Sequence, residues 1–264
     1  MLTYPHIDPI LLQIGPLSIR WYGLAYVAGI LLGWQCCRYL AKRGFIDIAP
    51  HHMDDFIPWA TLGIIVGGRL GEVFFYNTSY YLSHPLEILY IWQPGMSFHG
   101  GFLGVVLAGI LFVRARRLPW RTFGDLLSVG TPIGLFFGRI ANFINGELFG
   151  RMTDSPLGMV FPQGGPFPRH PSQLYEAGLE GVLLFTVLII LAHTSLPKRA
   201  PGALMGVFFL GYGLARSFAE LFREPEAASG FIVGELTMGQ LLSFPLILVG
   251  GLFIWFNLRH PKTP

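Results

Sequence analysis

The chain has 264 residues, of which 52% are hydrophobic and only 12% charged, with a mean hydropathy of +0.53. Soluble domains carry roughly 25% charged residues, so this composition excludes an ordinary water-soluble fold and implies a polytopic membrane protein with modest loops. The formal net charge of +3 comes without any basic patch interleaved with aromatics, which argues against a nucleic-acid partner.

The first twenty residues contain the acidic Asp8 and three prolines, Pro5, Pro9 and Pro16. They lack the basic start and apolar core of a cleavable signal peptide, so the apolar runs themselves are expected to direct insertion. Seven such runs are long enough for about 30 Å of hydrocarbon: residues 21–40, 56–76, 96–113, 123–144, 173–193, 202–222 and 237–257. The predicted fold is therefore all-α, a single membrane domain with seven transmembrane helices over residues 1–264. Cys36 and Cys37 close the first run. Adjacent cysteines make a poor disulfide, and no Cys/His spacing suits zinc, so both read as small apolar side chains.

Orientation follows from the basic residues between runs. They concentrate after the first run (Arg38, Lys42, Arg43), the third (Arg114, Arg116, Arg117, Arg121), the fifth (Lys198, Arg199) and the seventh (Arg259, Lys262). The opposite side has only Arg20, Arg151, Arg169 and Arg223. The N-terminus is thus expected outside, the C-terminus in the cytoplasm, and the loops 77–95, 145–172 and 223–236 outside. Tyr76, Tyr80, Tyr81, Tyr90 and Trp92 crowd the first of these loops, as aromatics do at a membrane interface. The second is rich in Gly and Pro (Pro156, Pro162, Gly164, Gly165, Pro166, Pro168) and predicts a small irregular cap rather than a helix.

The polar residues inside the runs gather toward that same outer side. Arg69 and Glu72 lie in the second run, His99 opens the third, Arg139 closes the fourth, Glu176 and Glu180 open the fifth, and Arg216 and Glu220 close the sixth. Scattered structural polar groups would occupy both leaflets, whereas one outward-facing cavity collects them on one side. Arg69 and Glu72, three apart, can pair on one helix face. Arg216 and Glu220, four apart, can do the same, with Tyr212 one turn earlier. Asp125 reads as an early-turn acid of its own helix. His99 starts a helix beside glycines that permit close approach of another molecule.

The densest polar stretch is Gly138-Arg139-Ile140-Ala141-Asn142-Phe143-Ile144-Asn145-Gly146-Glu147-Leu148-Phe149-Gly150. Two arginines at similar depth in neighbouring runs, Arg139 and Arg216, suggest bidentate capture of an anion, and the anion native to a membrane is a lipid phosphate. No serine-hydrolase elbow, zinc-protease helix or phosphate-binding loop motif is present in the chain, which leaves those chemistries without support. A transporter that binds headgroups without making bonds uses similar arginines, but should carry polar residues through to the inner leaflet. An assembly factor explains neither the glycines nor the paired arginines.

The stretch 138–150 closely resembles the signature of the bacterial prolipoprotein diacylglyceryl transferases. Further blocks match in order: Trp21-Tyr22-Gly23, Gly67-Gly68-Arg69, Met96 to Gly101, Arg169 to Glu176, and Gly211-Tyr212-Gly213 through Arg216 and Glu220 to Arg223. The resemblance implies a seven-span enzyme of the bacterial cytoplasmic membrane, with its active site facing the exterior. Its activity moves diacylglyceryl from phosphatidylglycerol onto the lipobox cysteine of a prolipoprotein, forming a thioether and releasing glycerol phosphate. It further implies that Arg139 and Arg216 handle the phosphate, with Asn142, Asn145, Glu147, Gly150 and Glu220 around them. His99, as candidate base, and Tyr22 are further essential positions, and Tyr212 lies beside Arg216. No metal or organic cofactor is expected, because the donor lipid brings its own leaving group.

Overall fold

The structure, a computed structural model, describes residues 2–5, 7–15, 17–91, 95–224, 231–233 and 236–261. Trp92 of the aromatic loop, Lys262 of the basic tail and most of the 223–236 loop lie outside the described residues. In chain order come β1 (Ile10–Ile14), β2 (Leu17–Arg20), α1 (Trp21–Lys42) and α2 (His51–Gly71), which runs into a π-helical turn at Glu72–Tyr76. Then follow α3 (Thr78–Ser83), a 3-10 turn at Pro85–Leu89, α4 (Phe98–Arg116) and α5 (Trp120–Ile144). After the cap, α6 (Ser172–Glu176) continues through a π-helical stretch (Ala177–Leu183) into α7 (Leu184–Ala192). The chain closes with α8 (Leu196–Arg199), α9 (Ala203–Ala219), β3 (Phe231–Val233), β4 (Leu236–Thr237) and α10 (Met238–Arg259).

The protein is mostly helical, with one amendment to the all-α expectation. Two short antiparallel hairpins, β1 with β2 and β3 with β4, are present. The first precedes α1: the β-branched and apolar residues of Ile10–Ile14 and Leu17–Arg20 pair across a turn where Gly15 takes φ 58, a conformation open to glycine.

Among the described residues, five helical stretches are long and apolar enough to cross a bilayer: Trp21–Lys42, His99–Arg116, Trp120–Ile144, Ser172–Ala192 and Met238–Arg259. They coincide with five of the predicted runs and make this a multi-pass membrane protein. Their outward faces are apolar, as at Val27, Leu31, Phe102, Leu103, Leu248 and Leu252, which suits lipid rather than water. The other two runs fall on shorter or more polar helix. The run 56–76 spans α2 and the π turn, with His51, His52, Asp54 and Asp55 in the first turns, and 202–222 falls on the 17-residue α9.

By compactness the chain forms two units, residues 48–123 and the remainder. In the smaller unit α2 and α4 cross at bare backbone. A Cβ added at Gly67 would collide with the carbonyl oxygen of Gly100, and one at Gly71 would stand 2.7 Å from the Gly100 Cα. This small-residue contact lets helices pack closely where apolar burial from lipid gives no driving force. Arg69, buried near the end of α2, sends Nε to the Ile88 carbonyl (3.0 Å), Nη1 to Gly95 (3.0 Å) and Nη2 to Glu87 (2.7 Å) and Tyr90 (2.9 Å). Glu72 accepts from Asn77 Nδ2 at 2.7 Å. Arg69 thus also holds Glu87, Ile88, Tyr90 and Gly95 in place, satisfying carbonyls that regular structure leaves open.

In the larger unit α1 lies against α5, with Gly33 facing the Gly130 carbonyl and Cys37 Sγ 3.2 Å from the Leu126 oxygen. Asp125 corrects a sequence expectation. It is fully buried and caps a different helix: its carboxylate accepts from Gly202 N (2.6 Å) and Met205 N (2.8 Å) at the start of α9. Helix-dipole logic holds, but the dipole belongs to α9, whose own N-cap, Gly202, has no side chain to offer. Asp125→Ala is expected to destabilise the protein by about 2 kcal/mol, through lost capping and two stranded donors. A lowered thermal midpoint in detergent, with the fold retained, is the measurement; an unchanged midpoint contradicts the assignment.

The segment between α5 and α6 carries no helix. It closes on itself through bridges of Arg169 with Met152 and Met159, and joins the N-terminal segment where Leu2 meets Met159. Tyr4, Phe143, Met159 and Phe161 form a small core beneath it. The Tyr4 hydroxyl donates to the carbonyls of Phe143 (2.8 Å) and Ile144 (3.0 Å), the last residues of α5.

Candidate active site

The helix end that this core anchors carries Arg139 and Asn142. After Ile144 the chain reverses through Gly146 (φ 67) and Leu148 (φ 57). The turn sets Glu147 back against the helix, where its Oε1 accepts from Asn142 Nδ2 (2.8 Å) and Asn145 Nδ2 (3.4 Å). The signature carboxamides therefore orient the signature carboxylate. Gln173 Nε2 holds the Glu147 carbonyl at 2.6 Å, and Ser172 Oγ holds that of Leu148 at 3.0 Å. The start of α6 is thereby fastened to the same turn.

Arg139 and Arg216, on α5 and α9, meet over shared carboxylates from α6 and the π-helical stretch. Arg139 Nε lies 3.2 Å from Glu176 Oε2, and its Nη2 lies 3.2 Å from Glu180 Oε2. Arg216 Nη1 binds Glu176 Oε1 closely and stands 3.9 Å from Glu180 Oε1, while its Nη2 binds Glu220 Oε1. Arg223 Nη1 adds a third contact to Glu176 Oε1, at 3.1 Å. Glu220 is held from beyond the helix: Thr237 Oγ1 donates to its Oε2 at 2.7 Å and accepts from Gln240 N at 3.3 Å, capping α10. The π-helical stretch, a widened turn of the kind found often at functional sites, presents Glu176 and Glu180 on one face.

Exposure differs systematically across this network. The side chains of Glu176 and Glu180 are 0% exposed, against 16% for Arg139 and 13% for Arg216. The carboxylates form the floor and the guanidinium groups the reachable surface. Tyr212, one turn before Arg216, lies within Coulombic reach of both arginines and of Glu176 and Glu180. Tyr22 shares a hydroxyl contact of 3.2 Å with Tyr26 and lies within Coulombic reach of Glu147 and Arg139.

Gly150 forms the seam between cap and network. Its N donates to the His170 carbonyl at 2.8 Å, it bridges antiparallel to Arg223, and an added Cβ would collide with the Phe222 carbonyl oxygen. Below it His170 Nδ1 and the Tyr175 hydroxyl share a hydrogen bond of 3.1 Å. Burial pushes the His170 imidazole below its ordinary value, because a buried ring holds a positive charge less readily.

The structure thus brings Tyr22, Arg139, Asn142, Asn145, Glu147, Gly150, Tyr212, Arg216 and Glu220 into the larger unit around one network. His99 belongs to the smaller unit. It is the second residue of α4, exposed, in a turn capped by Ser97 Oγ, which accepts from Gly100 N at 3.1 Å. Sequence reasoning grouped Glu176 and Glu180 with the arginines by their position in the runs without pairing them, and missed Arg223 and Thr237 as partners. The available signal was two acids four apart at a span's start, opposite two arginines at the same depth.

A family model, prolipoprotein diacylglyceryl transferase, matches residues 9–256. Among relatives, the phosphatidylglycerol–prolipoprotein diacylglyceryl transferase of Paramagnetospirillum magneticum is 57% identical over 99% of this chain and 98% of its own. That of Rhodospirillum rubrum is 55% identical over 94% and 92%, and that of Rhizobium leguminosarum 52% over 98% and 94%. A family match over nearly the whole length, with more than half of all residues identical in full-length relatives, leads to one conclusion: this chain belongs to the prolipoprotein diacylglyceryl transferase family.

Proposed function

We propose that this chain transfers the diacylglyceryl group of phosphatidylglycerol to the lipobox cysteine of a prolipoprotein. The observation that carries the reading is the meeting of Arg139 and Arg216 over Glu176 and Glu180, in a chain of this family. The thiolate sulfur attacks the glycerol carbon that bears the phosphate. A C–S bond forms, the C–O bond breaks with its electron pair on phosphate oxygen, and glycerol phosphate leaves. Fixed cations stabilise the charge that collects on that oxygen. Arg139 and Arg216 are assigned this role, with Glu220 holding Arg216, and Asn142, Asn145 and Glu147 shaping the turn beside them. Tyr22 and Tyr212 line the same site, and Gly150 keeps the cap seated on it. His99 is the candidate base, supported by the matching Met96 to Gly101 block; a thiol with pKa near 8.5 needs one to react at neutral pH.

The reading includes seven spans in the bacterial cytoplasmic membrane, an outer N-terminus, a cytoplasmic C-terminus and a site open to the exterior. The basic loops support this orientation. Loop 77–95 lies along the outer interface, and 145–172 caps the site. The test is direct. Purified protein, phosphatidylglycerol and a lipobox peptide are incubated together, and the peptide is weighed by mass spectrometry. The reading expects one diacylglyceryl group added at cysteine with stoichiometric glycerol phosphate; peptide recovered unchanged from incubation with folded protein contradicts it.

A further inference from the structure

Among the described residues the ion-paired network comprises three guanidinium groups, Arg139, Arg216 and Arg223, and three carboxylates, Glu176, Glu180 and Glu220. The buried acids thus offset the charge of these cations before any substrate arrives. A site evolved only to hold an anion as tightly as possible has no use for two fully buried acids directly behind its cations, since taking a carboxylate out of water is expensive.

We propose that Glu176 and Glu180 are positioning residues that aim the two arginines and cancel their excess charge, so that the phosphate product can leave. The inference rests on the reading of Arg139 and Arg216 as the phosphate grip. The geometry supplies the aim. Arg139 directs Nε (3.4 Å) and Nη2 (3.2 Å) to Glu180 Oε2, with Glu176 Oε2 at ion-pair distance from Nε, and Arg216 spends its Nη groups on Glu176 and Glu220. That leaves the donors on Arg139 Nη1 and Arg216 Nε for an incoming anion, on guanidinium groups that are 16% and 13% exposed against 0% for the two acids.

The reaction's charge balance supplies the reason for cancellation. A phosphodiester monoanion and a thiolate enter; a neutral thioether and a phosphomonoester leave. With its second pKa near 6, the monoester is close to a dianion at neutral pH. The charge facing the arginines therefore grows as the reaction proceeds, and a net-positive cluster would bind product more tightly than substrate. Buried counter-charges flatten that difference while leaving hydrogen-bond donors in place for the transition state.

The experiment is product inhibition of the full-length enzyme in detergent, using glycerol phosphate as the probe. In Glu180→Gln and Glu176→Gln, glycerol phosphate should inhibit about tenfold more strongly than in the wild type, because each leaves one cation uncompensated. Turnover should fall without a rise in KM for phosphatidylglycerol. Glu180→Asp, which keeps the charge, should restore wild-type inhibition. A merely structural role predicts weaker substrate binding and unchanged or weaker inhibition in the Gln variants, and that result overturns the proposal. A wild-type comparison needs no variant to fold: at about pH 8, where the monoester is a dianion, glycerol phosphate should bind less than about tenfold more tightly than its monoanionic methyl ester. Tighter preference than that also overturns the proposal. Failure of the underlying reading shows separately, as product inhibition that is indifferent to Arg139→Lys and Arg216→Lys.

Discussion

Replacing Arg139 or Arg216 with alanine is expected to lower diacylglyceryl transfer at least about a thousandfold. A single donor aimed at developing charge is commonly worth about 10²–10³ in turnover, and each guanidinium here can supply more than one. Arg216 also neutralises Glu176 and Glu220, and Arg139 neutralises Glu176 and Glu180. Truncating either strands a buried carboxylate, a change that typically costs about 3–5 kcal/mol. Activity and thermal midpoint should therefore fall together. Arg139→Lys separates the two effects: it keeps the charge for the buried acids but loses the planar fork, so the midpoint should largely recover while turnover stays depressed. Full activity in Arg139→Ala would remove that residue from the phosphate site.

Gly150→Ala is expected to be nearly as damaging, by another route. The added methyl group would collide with the Phe222 carbonyl oxygen and stand 2.7 Å from both Cβ and O of His170. Two of these three neighbours are backbone atoms that no rotamer change can move. The backbone must open at the Gly150 to His170 hydrogen bond and at the bridge to Arg223, and Arg223 holds Glu176 from the other side. Overpacking of this kind costs about 1–3 kcal/mol, and a small displacement of positioned groups can cost about a hundredfold in rate. The expected result is a lowered midpoint and transfer reduced about a hundredfold, without the strict loss expected of Arg139→Ala. An alanine variant with wild-type rate and midpoint contradicts the seam assigned to this glycine.

What could be read from the sequence follows from which interactions are local. Arg216 and Glu220, four apart on one helix, pair as their spacing predicted. The Gly- and Pro-rich cap proved free of helix, because turn chemistry is written in neighbouring residues. Interactions between distant segments were not legible. Asp125 looked like an acid for its own helix start, yet its partners lie 77 and 80 residues away. Arg69 has Glu72 within one turn, yet its donors also reach the carbonyls of Glu87, Ile88, Tyr90 and Gly95, 18 to 26 residues further on. Glu176 and Glu180, four apart, are readable as sharing one helix face, but that the arginines of α5 and α9 meet over them was not, nor does any residue pattern in Ala177–Leu183 mark its π-helical turn. Position along each helix was therefore readable, while the identity of the partner on another helix required the fold.

The central claim, that the two guanidinium groups grip one phosphate, is tested most directly by equilibrium binding of short-chain phosphatidylglycerol in the absence of peptide. Calorimetry on the wild type, Arg139→Lys, Arg216→Lys and the double variant separates binding from chemistry. Each single change should weaken affinity about tenfold, the worth of one charge-assisted hydrogen bond, and the double variant should bind more weakly than either. Affinity unchanged by all three, in protein that melts cooperatively, would mean that the lipid phosphate sits elsewhere.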